Sequence, residues 1–295
     1  MHLAVAAARA TGAILLSCDS MKVYRGMDAG TAKPSASARE GVDWRGLDLV
    51  DPWESYDANR FRGLFEEVLG EARERGRPLV LAGGTMLYLK AATEGLGETP
   101  PRDEALREAL TARAELEGTG ALHRELARCD PDAAGRIHPN DLRRLVRALE
   151  VHARSGRPLS SFQGQFGQVR PDLDRVVLVV QRERDDMKRR IDARVARMVR
   201  AGWIEECERL RADPRGISAE ARQALGYRQL LDWLEAGRAE PLDHVVARIQ
   251  TGTRRFARRQ LTWLRHVAGA QVLEVAPDQE PTRHLELALA AIEGR

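Results

Sequence analysis

The chain has 295 residues, 43% of them hydrophobic and 31% charged, with a formal net charge of +3. Such a length suits one large domain or two modest ones, and the composition is globular, which excludes wholesale disorder. No run of about 18 apolar residues is present to span a bilayer, the start Met1-His2-Leu3-Ala4 lacks the basic segment of a signal peptide, and Cys18, Cys129 and Cys207 are too scattered for a disulfide framework or a cysteine-built metal site. A cytoplasmic location is expected. Residues 3–10 read as a short Ala-rich helix stopped by Gly12. Residues 13–18 form an apolar run, expected as a buried strand finishing at Asp19-Ser20. Phe61, Leu64, Phe65, Val68 and Leu69 share one helical face, and Gly76 ends that helix. Residues 78–82 are expected as a second buried strand, ending at Gly83-Gly84-Thr85, with a helix from Met86 to about Glu94. This strand-helix-strand-helix order predicts a parallel, doubly wound α/β sheet.

From about 99 to 171 the pattern turns helical, with no convincing strand, after a junction at Pro100-Pro101. A strand returns at residues 174–181. A helical insertion (99–171) inside an α/β core (1–98 and 172–295) is therefore expected. A long charged helical region follows over 185–210, then helices over 219–235, 245–266 and 284–292, with a last strand near 272–275.

In parallel sheets ligands bind beyond the carboxyl ends of the strands. Two such ends carry polar residues. Asp19, at the first, suits a general base, or else it caps a turn or binds a cation. At the second, Gly83 and Gly84 allow close approach of a ligand, and Thr85 opens a helix whose free N–H groups attract phosphate; plain helix capping is the alternative. Lys22, Lys33, Lys90 and Lys188 are the only lysines among 47 basic residues, and all the rest are arginine. Arginine suits phosphate and stacks on bases, although GC-rich codon usage produces the same bias. Placement is more telling. A helix capped by Asn140 or Asp141 carries Leu142, Leu145, Val146 and Leu149 on one stripe and Arg143, Arg147 and Arg154 on another, with Arg144 further round. The last large helix sets Arg254, Arg258 and Arg265, flanked by Arg255 and Arg259, opposite Phe256, Trp263 and Leu264. One-sided arginine faces without interleaved acids match a phosphate-backbone footprint; a solvated basic face is the alternative.

Five segments, in order, resemble bacterial tRNA dimethylallyltransferases: Asp19-Ser20-Met21-Lys22-Val23-Tyr24-Arg25-Gly26 running on to Lys33-Pro34, Leu81-Ala82-Gly83-Gly84-Thr85-Met86-Leu87-Tyr88, Arg136-Ile137-His138-Pro139-Asn140-Asp141, Leu225-Gly226-Tyr227-Arg228-Gln229, and Arg258-Arg259-Gln260-Leu261-Thr262-Trp263-Leu264-Arg265. They cover most of the chain. The resemblance implies a P-loop NTPase-like core with its nucleotide- and ATP-binding associations. It also implies transfer of a dimethylallyl group from dimethylallyl diphosphate to the exocyclic amine of adenine at tRNA position 37, beside the anticodon. On that comparison Asp19 is the general base. Thr85 holds the reacting centre or the diphosphate bridge. Arg228 neutralises the leaving diphosphate with Mg²⁺, and Gly83 and Gly84 help cradle it. Contacts to the tRNA anticodon stem-loop fall to Ser20, Met21, Lys22, Arg143, Arg144, Arg147, Gly226, Tyr227, Arg254 and Arg258. A monomer without membrane attachment is expected.

The family pattern begins with a strand and a Gly-x-x-x-x-Gly-Lys-Ser/Thr loop, and this sequence contains no such motif. The comparison places roughly 20 residues before Met1. A start codon set too far downstream, a fragment, or a pseudoenzyme that binds tRNA without modifying it are the three expectations. As written, the chain is expected to have little transferase activity. A prenyltransferase for free adenine nucleotides, or a P-loop kinase without its loop, are lesser alternatives.

Overall fold

The computed structural model describes residues 2–163, 168–276 and 281–293. Two compact units emerge: Met1–Thr93 together with Pro171–Arg295, and Glu94–Arg170. Their junctions fall at 93/94 and 170/171, against expected boundaries of 98/99 and 171/172.

In the first unit the order is α1 (His2–Thr11), β1 (Ile14–Cys18), α2 (Ala36–Arg39), β2 (Asp43–Arg45), α3 (Ala58–Glu74), β3 (Leu79–Gly83) and α4 (Met86–Thr93). β1 is the middle of a parallel sheet ordered β2-β1-β3, with Ile14 level with both Asp43 and Leu79. Ile14, Leu15 and Leu16 are fully buried, as an unbroken apolar run between two neighbours requires. β3 differs from expectation. It is half-buried, because as the edge of this sheet it has a strand on one side only. Helices α3 and α4 pack through Phe61 and Tyr88, whose rings stack at 4.3 Å. Asp57 caps α3 by accepting from the N–H groups of Asn59 and Arg60.

The second unit is wholly helical among its described residues: α5 (Glu104–Glu117), α6 (Thr119–Cys129), α7 (Pro131–Arg136), α8 (Leu142–Ser155) and a 3₁₀ turn at Leu159–Phe162. Asp141 is the N-cap of α8 and Gly156, in the left-handed region, closes it. Leu145, Val146 and Leu149 join Leu122 and Leu126 in a core of their own.

The first unit resumes with β4 (Val177–Arg182), α9 (Arg184–Arg200), α10 (Trp203–Ala212), α11 (Ala219–Arg222), α12 (Tyr227–Glu235), α13 (Leu242–Leu264), β5 (Ala270–Val275) and α14 (Pro281–Glu293). β4 and β5 pair in parallel as a separate two-stranded sheet. Two predicted long helices are interrupted. Gly202, at φ +91°, divides 185–210 into α9 and α10, and Gly226, also at φ +91°, starts α12. A Cβ on Gly226 would lie 2.0 Å from the Trp203 ring, so the turn and the packing both demand glycine. No helix among the described residues is long and apolar enough to cross a membrane.

Candidate active site

Cys18 and Gly83 end β1 and β3 level with each other. The chain leaving β3 turns sharply: the N–H groups of Gly84 and Thr85 both donate to the Cys18 carbonyl, at 3.1 and 3.2 Å. A Cβ on Gly83 would fall 2.0 Å from that oxygen, which makes this glycine obligatory. Thr85 is thereby brought against the residue after Asp19. Its hydroxyl accepts from Ser20 N at 3.0 Å and donates to Ser20 Oγ at 3.3 Å. Asp19 Oδ1 accepts from Met21 N at 2.9 Å, a short turn that fixes the carboxylate, and Oδ2 lies 3.9 Å from Lys22 Nζ. From α13, Gln260 Nε2 donates to Gly84 O at 2.8 Å and clamps the turn from the other side.

Asp19, Ser20 and Thr85 thus meet at one strand end, while two expectations there change. The N–H groups of Gly84 and Thr85 are spent on Cys18, so they are not free to cradle a phosphate. Lys22 is buried, with 6% of its side chain exposed, and turns toward Asp19 instead of standing out as a surface contact. Burial depresses its pKa, the Asp19 charge opposes this, and Arg194 and Lys33 add to it. Arg194, on α9, is exposed, unlike Lys22, yet it lies near the same carboxylate: desolvation lowers its pKa, Asp19 opposes and Arg197 reinforces. Its Nη2 is 3.4 Å from Thr31 O, and no carboxylate among the described residues forms an ion pair with it. Reading the sequence for motifs missed Arg194. The usable signal is its place next to Ile191, Val195 and Met198 on α9, at the border of that helix's buried face.

The segment following Asp19 is fixed by two buried charges. Glu206 accepts from the N–H groups of Asp28 (2.8 Å), Ala29 (2.9 Å) and Gly30 (3.4 Å) and from the Tyr227 hydroxyl. Lys33 Nζ reaches Asp28 (2.5 Å), Asp48 (2.6 Å) and the Tyr24 carbonyl (2.6 Å). Tyr227 is 1% exposed and Gly226 is packed on Trp203, so both are interior residues. Their expected contact with tRNA is corrected on that ground: a ring closed in by Trp203 and Glu206 presents no surface to a nucleic acid. Arg228, one residue on, is exposed, and it makes no hydrogen bond or ion pair with Asp19 or Thr85.

Acids do interleave with the arginine faces, contrary to expectation. Arg147 bonds to Glu150 (2.6 Å), Thr99 Oγ1 (2.8 Å) and Pro100 O (3.1 Å), Arg154 to Asp103 (3.0 Å) and Arg144 to Asp141 (3.2 Å). Arg254 is held by Asp192 (2.5 Å) and Thr251 (2.9 Å). Arg143, Arg255, Arg258, Arg259 and Arg265 stay exposed. Phe256 and Trp263, expected on the apolar side of α13, are 43% and 46% exposed.

A carboxylate and a hydroxyl gathered at the carboxyl rim of a parallel sheet, with a buried lysine beside the carboxylate, form the kind of site an α/β enzyme carries there. The IPP transferase model matches residues 22–267. The tRNA dimethylallyltransferase of Geobacter sulfurreducens is 43% identical over 264 residues, covering 90% of this chain and 84% of that one. Its counterpart in Anaeromyxobacter dehalogenans is 42% identical over 280 residues, 95% of this chain and 91% of that one. The crystal structure of the full-length tRNA isopentenylpyrophosphate transferase of Bacillus halodurans, 34% identical, matches with a TM-score of 0.71 over 99% of this chain and 91% of the other. The chain belongs to the IPP transferase family.

Proposed function

We propose that the protein transfers a dimethylallyl group from dimethylallyl diphosphate to the exocyclic amine of adenine 37 in tRNA, beside the anticodon. The observation that carries this reading is the gathering of Asp19 and Thr85 at the strand ends, beside the buried Lys22 and near Arg194. An allylic C–O bond breaks readily because the cation is delocalised, so positioning and stabilisation of the departing anion are the main requirements. The amine nitrogen bonds to the allylic carbon, the carbon–oxygen bond to the diphosphate breaks, and Asp19 takes the amine proton. Thr85 offers its hydroxyl hydrogen to the bridging oxygen. The leaving charge falls to Arg194 and Lys22, a role the motif comparison had given to Arg228. The adenine leaves its stack to reach the rim.

No three His, Cys, Asp or Glu are grouped to hold a metal ion among the described residues. Mg²⁺ is expected to come with the diphosphate, held chiefly by its phosphate oxygens and water, as Mg²⁺ commonly is. The protein is expected to work as a cytoplasmic monomer. The named relatives favour the transferase over a non-modifying tRNA binder or an enzyme for free nucleotides. The test is incubation of the chain with labelled dimethylallyl diphosphate and an anticodon stem-loop containing A37. Label recovered on that adenine is the expected result. Tight RNA binding with no label transferred overturns the enzymatic reading, and label preferring AMP over the stem-loop overturns the tRNA reading.

A further inference from the structure

A cleft of about 270 Å³ opens on the same rim of the three-stranded sheet, and Asp19 and Thr85 do not line it. Its walls come from the loop after β1 at Arg25, the loop after β2 at Trp53, and α10 with the turn behind it. The two loops continue the β1–β2 pairing beyond the strands: Leu49 N donates to Val23 O at 2.7 Å and Arg25 N to Val50 O at 2.9 Å. The cleft is therefore a fixed extension of the carboxyl rim, where ligands of parallel sheets bind.

Its lining combines one aromatic ring, Trp53, with two arginines, Arg25 and Arg209, and three carboxylates, Asp51, Glu206 and Asp213. Trp53 supplies a ring, and the guanidinium carbon of Arg215 lies 3.3 Å from its centroid. Arg215 is oriented in turn by Asp213, through bonds of 2.9 and 2.8 Å. Arg25 is occupied by Asp51 (3.1 Å) and Leu49 O (2.9 Å). Arg209 is different: it lines the cleft, is exposed, and has no ion pair or hydrogen bond from its guanidinium to any described residue. An unspent guanidinium in the same cleft as an aromatic ring suits a ligand with an anion at one end and a planar group at the other. In RNA these are phosphate and base, which arginine and aromatic or guanidinium planes recognise. The volume lies below the range of about 300–1,000 Å³ typical of drug-sized sites, which limits the occupant to one small unit.

We propose that this cleft is a subsite for one nucleotide of the tRNA chain other than the adenine that reacts, its phosphate on Arg209 and its base against the Trp53–Arg215 stack. The inference rests on the tRNA reading given above. Glu206 both lines the cleft and anchors the N–H groups of residues 28–30, so the occupied subsite adjoins the anchor of the loop that follows Asp19.

The test is the affinity of the full chain for an anticodon stem-loop over a series of salt concentrations. Arg209→Ala is expected to weaken binding about tenfold and to reduce the slope of log affinity against log salt by about one, with Arg209→Lys restoring the slope. Trp53→Ala is expected to cost about tenfold and Trp53→Phe, which keeps a ring, at most about twofold. Arg209 is exposed, so its variants test the proposal even where Trp53→Ala fails to fold. Wild-type affinity and slope in Arg209→Ala overturn the proposal. So does saturable binding of 5′-AMP that Arg209→Ala abolishes while stem-loop binding is unchanged, which assigns the cleft to a free nucleotide. A wild-type chain that does not bind the stem-loop overturns the tRNA reading itself, and the subsite with it.

Discussion

Lys22 is a buried cation and Arg194 an exposed one, and both lie near a single carboxylate, Asp19. Desolvating a charge costs several kcal/mol unless a partner recovers it, and one carboxylate cannot fully partner two cations. On the proposed function, the diphosphate of the substrate supplies the missing negative charge beside Lys22. Asp19→Asn keeps an oxygen for the Met21 N–H but loses the base. Turnover is expected to fall by about 10²–10⁴, with the Kd for tRNA within about threefold, measured by label transfer and filter binding. A variant that stops binding tRNA would assign Asp19 to the turn instead. Arg194→Ala is expected to lower the single-turnover transfer rate by about 10²–10³, and Arg194→Lys to recover part of it because the charge returns. Asp19 and Thr85 were legible because each terminates an apolar run, where a polar residue has to face the strand end. Arg194 was not, since in a helix of mixed charge nothing in the sequence singles out the guanidinium that comes near Asp19.

Helices and strands with a sustained apolar period were readable from sequence, and those fixed by a few local contacts were not. β2 is three residues long and two of them are charged; only its pairing with β1 defines it. The breaks at Gly202 and Gly226 escape periodicity because the apolar pattern runs through them, whereas the backbone reverses sign of φ. Gly226→Ala adds a Cβ 2.0 Å from the buried Trp203 ring at a left-handed φ. A loss of about 2 kcal/mol or more is expected, read by denaturant unfolding. In the helical unit the decisive element contact is also polar. Glu150 is fully buried, and Arg107 (2.8 and 2.9 Å), Arg147 (2.6 Å) and the Asp103 N–H (2.8 Å) join α8 to the start of α5 through it. Burial alone would raise its pKa. The bonds from Arg107, Asp103 and Arg147 outweigh that and hold it down to about 2, below the ordinary 4.5. A carboxyl depressed in the folded state stabilises it above the unfolded pKa and loses that contribution as pH falls through the folded value. Wild type is therefore expected to exceed Glu150→Gln by roughly 3 kcal/mol at pH 7, and the gap to narrow between about pH 4.5 and 2. A gap independent of pH would mean that Glu150 acts by packing alone.

Across the whole molecule, 47 basic residues face 44 acidic ones, so the small net charge says little about any one surface. What distinguishes the arginines is whether an acid already holds them. Arg147 has three internal acceptors, one of them the buried Glu150, and Arg254 is bound to Asp192. Transferring either to a phosphate exchanges one charge-assisted bond for another and releases few counterions from the RNA. Arg143 and Arg258 are exposed and form no ion pair with a carboxylate among the described residues. The salt dependence of binding counts phosphates newly neutralised, about 0.7 per contact for a single strand and 0.9 for a duplex. Arg143→Ala and Arg258→Ala are accordingly expected to flatten the salt dependence of tRNA affinity by about one unit each, without changing the unfolding midpoint. Arg147→Ala is expected to do the reverse: the slope stays near wild type, and the helical unit loses about 1–3 kcal/mol because Glu150 keeps its burial and loses a donor. Equal slopes in all three variants would mean that exposure and pairing do not select the contacts with tRNA. A flattened slope in Arg147→Ala alone would return that residue to the interface, with Glu150 as the group that aims it.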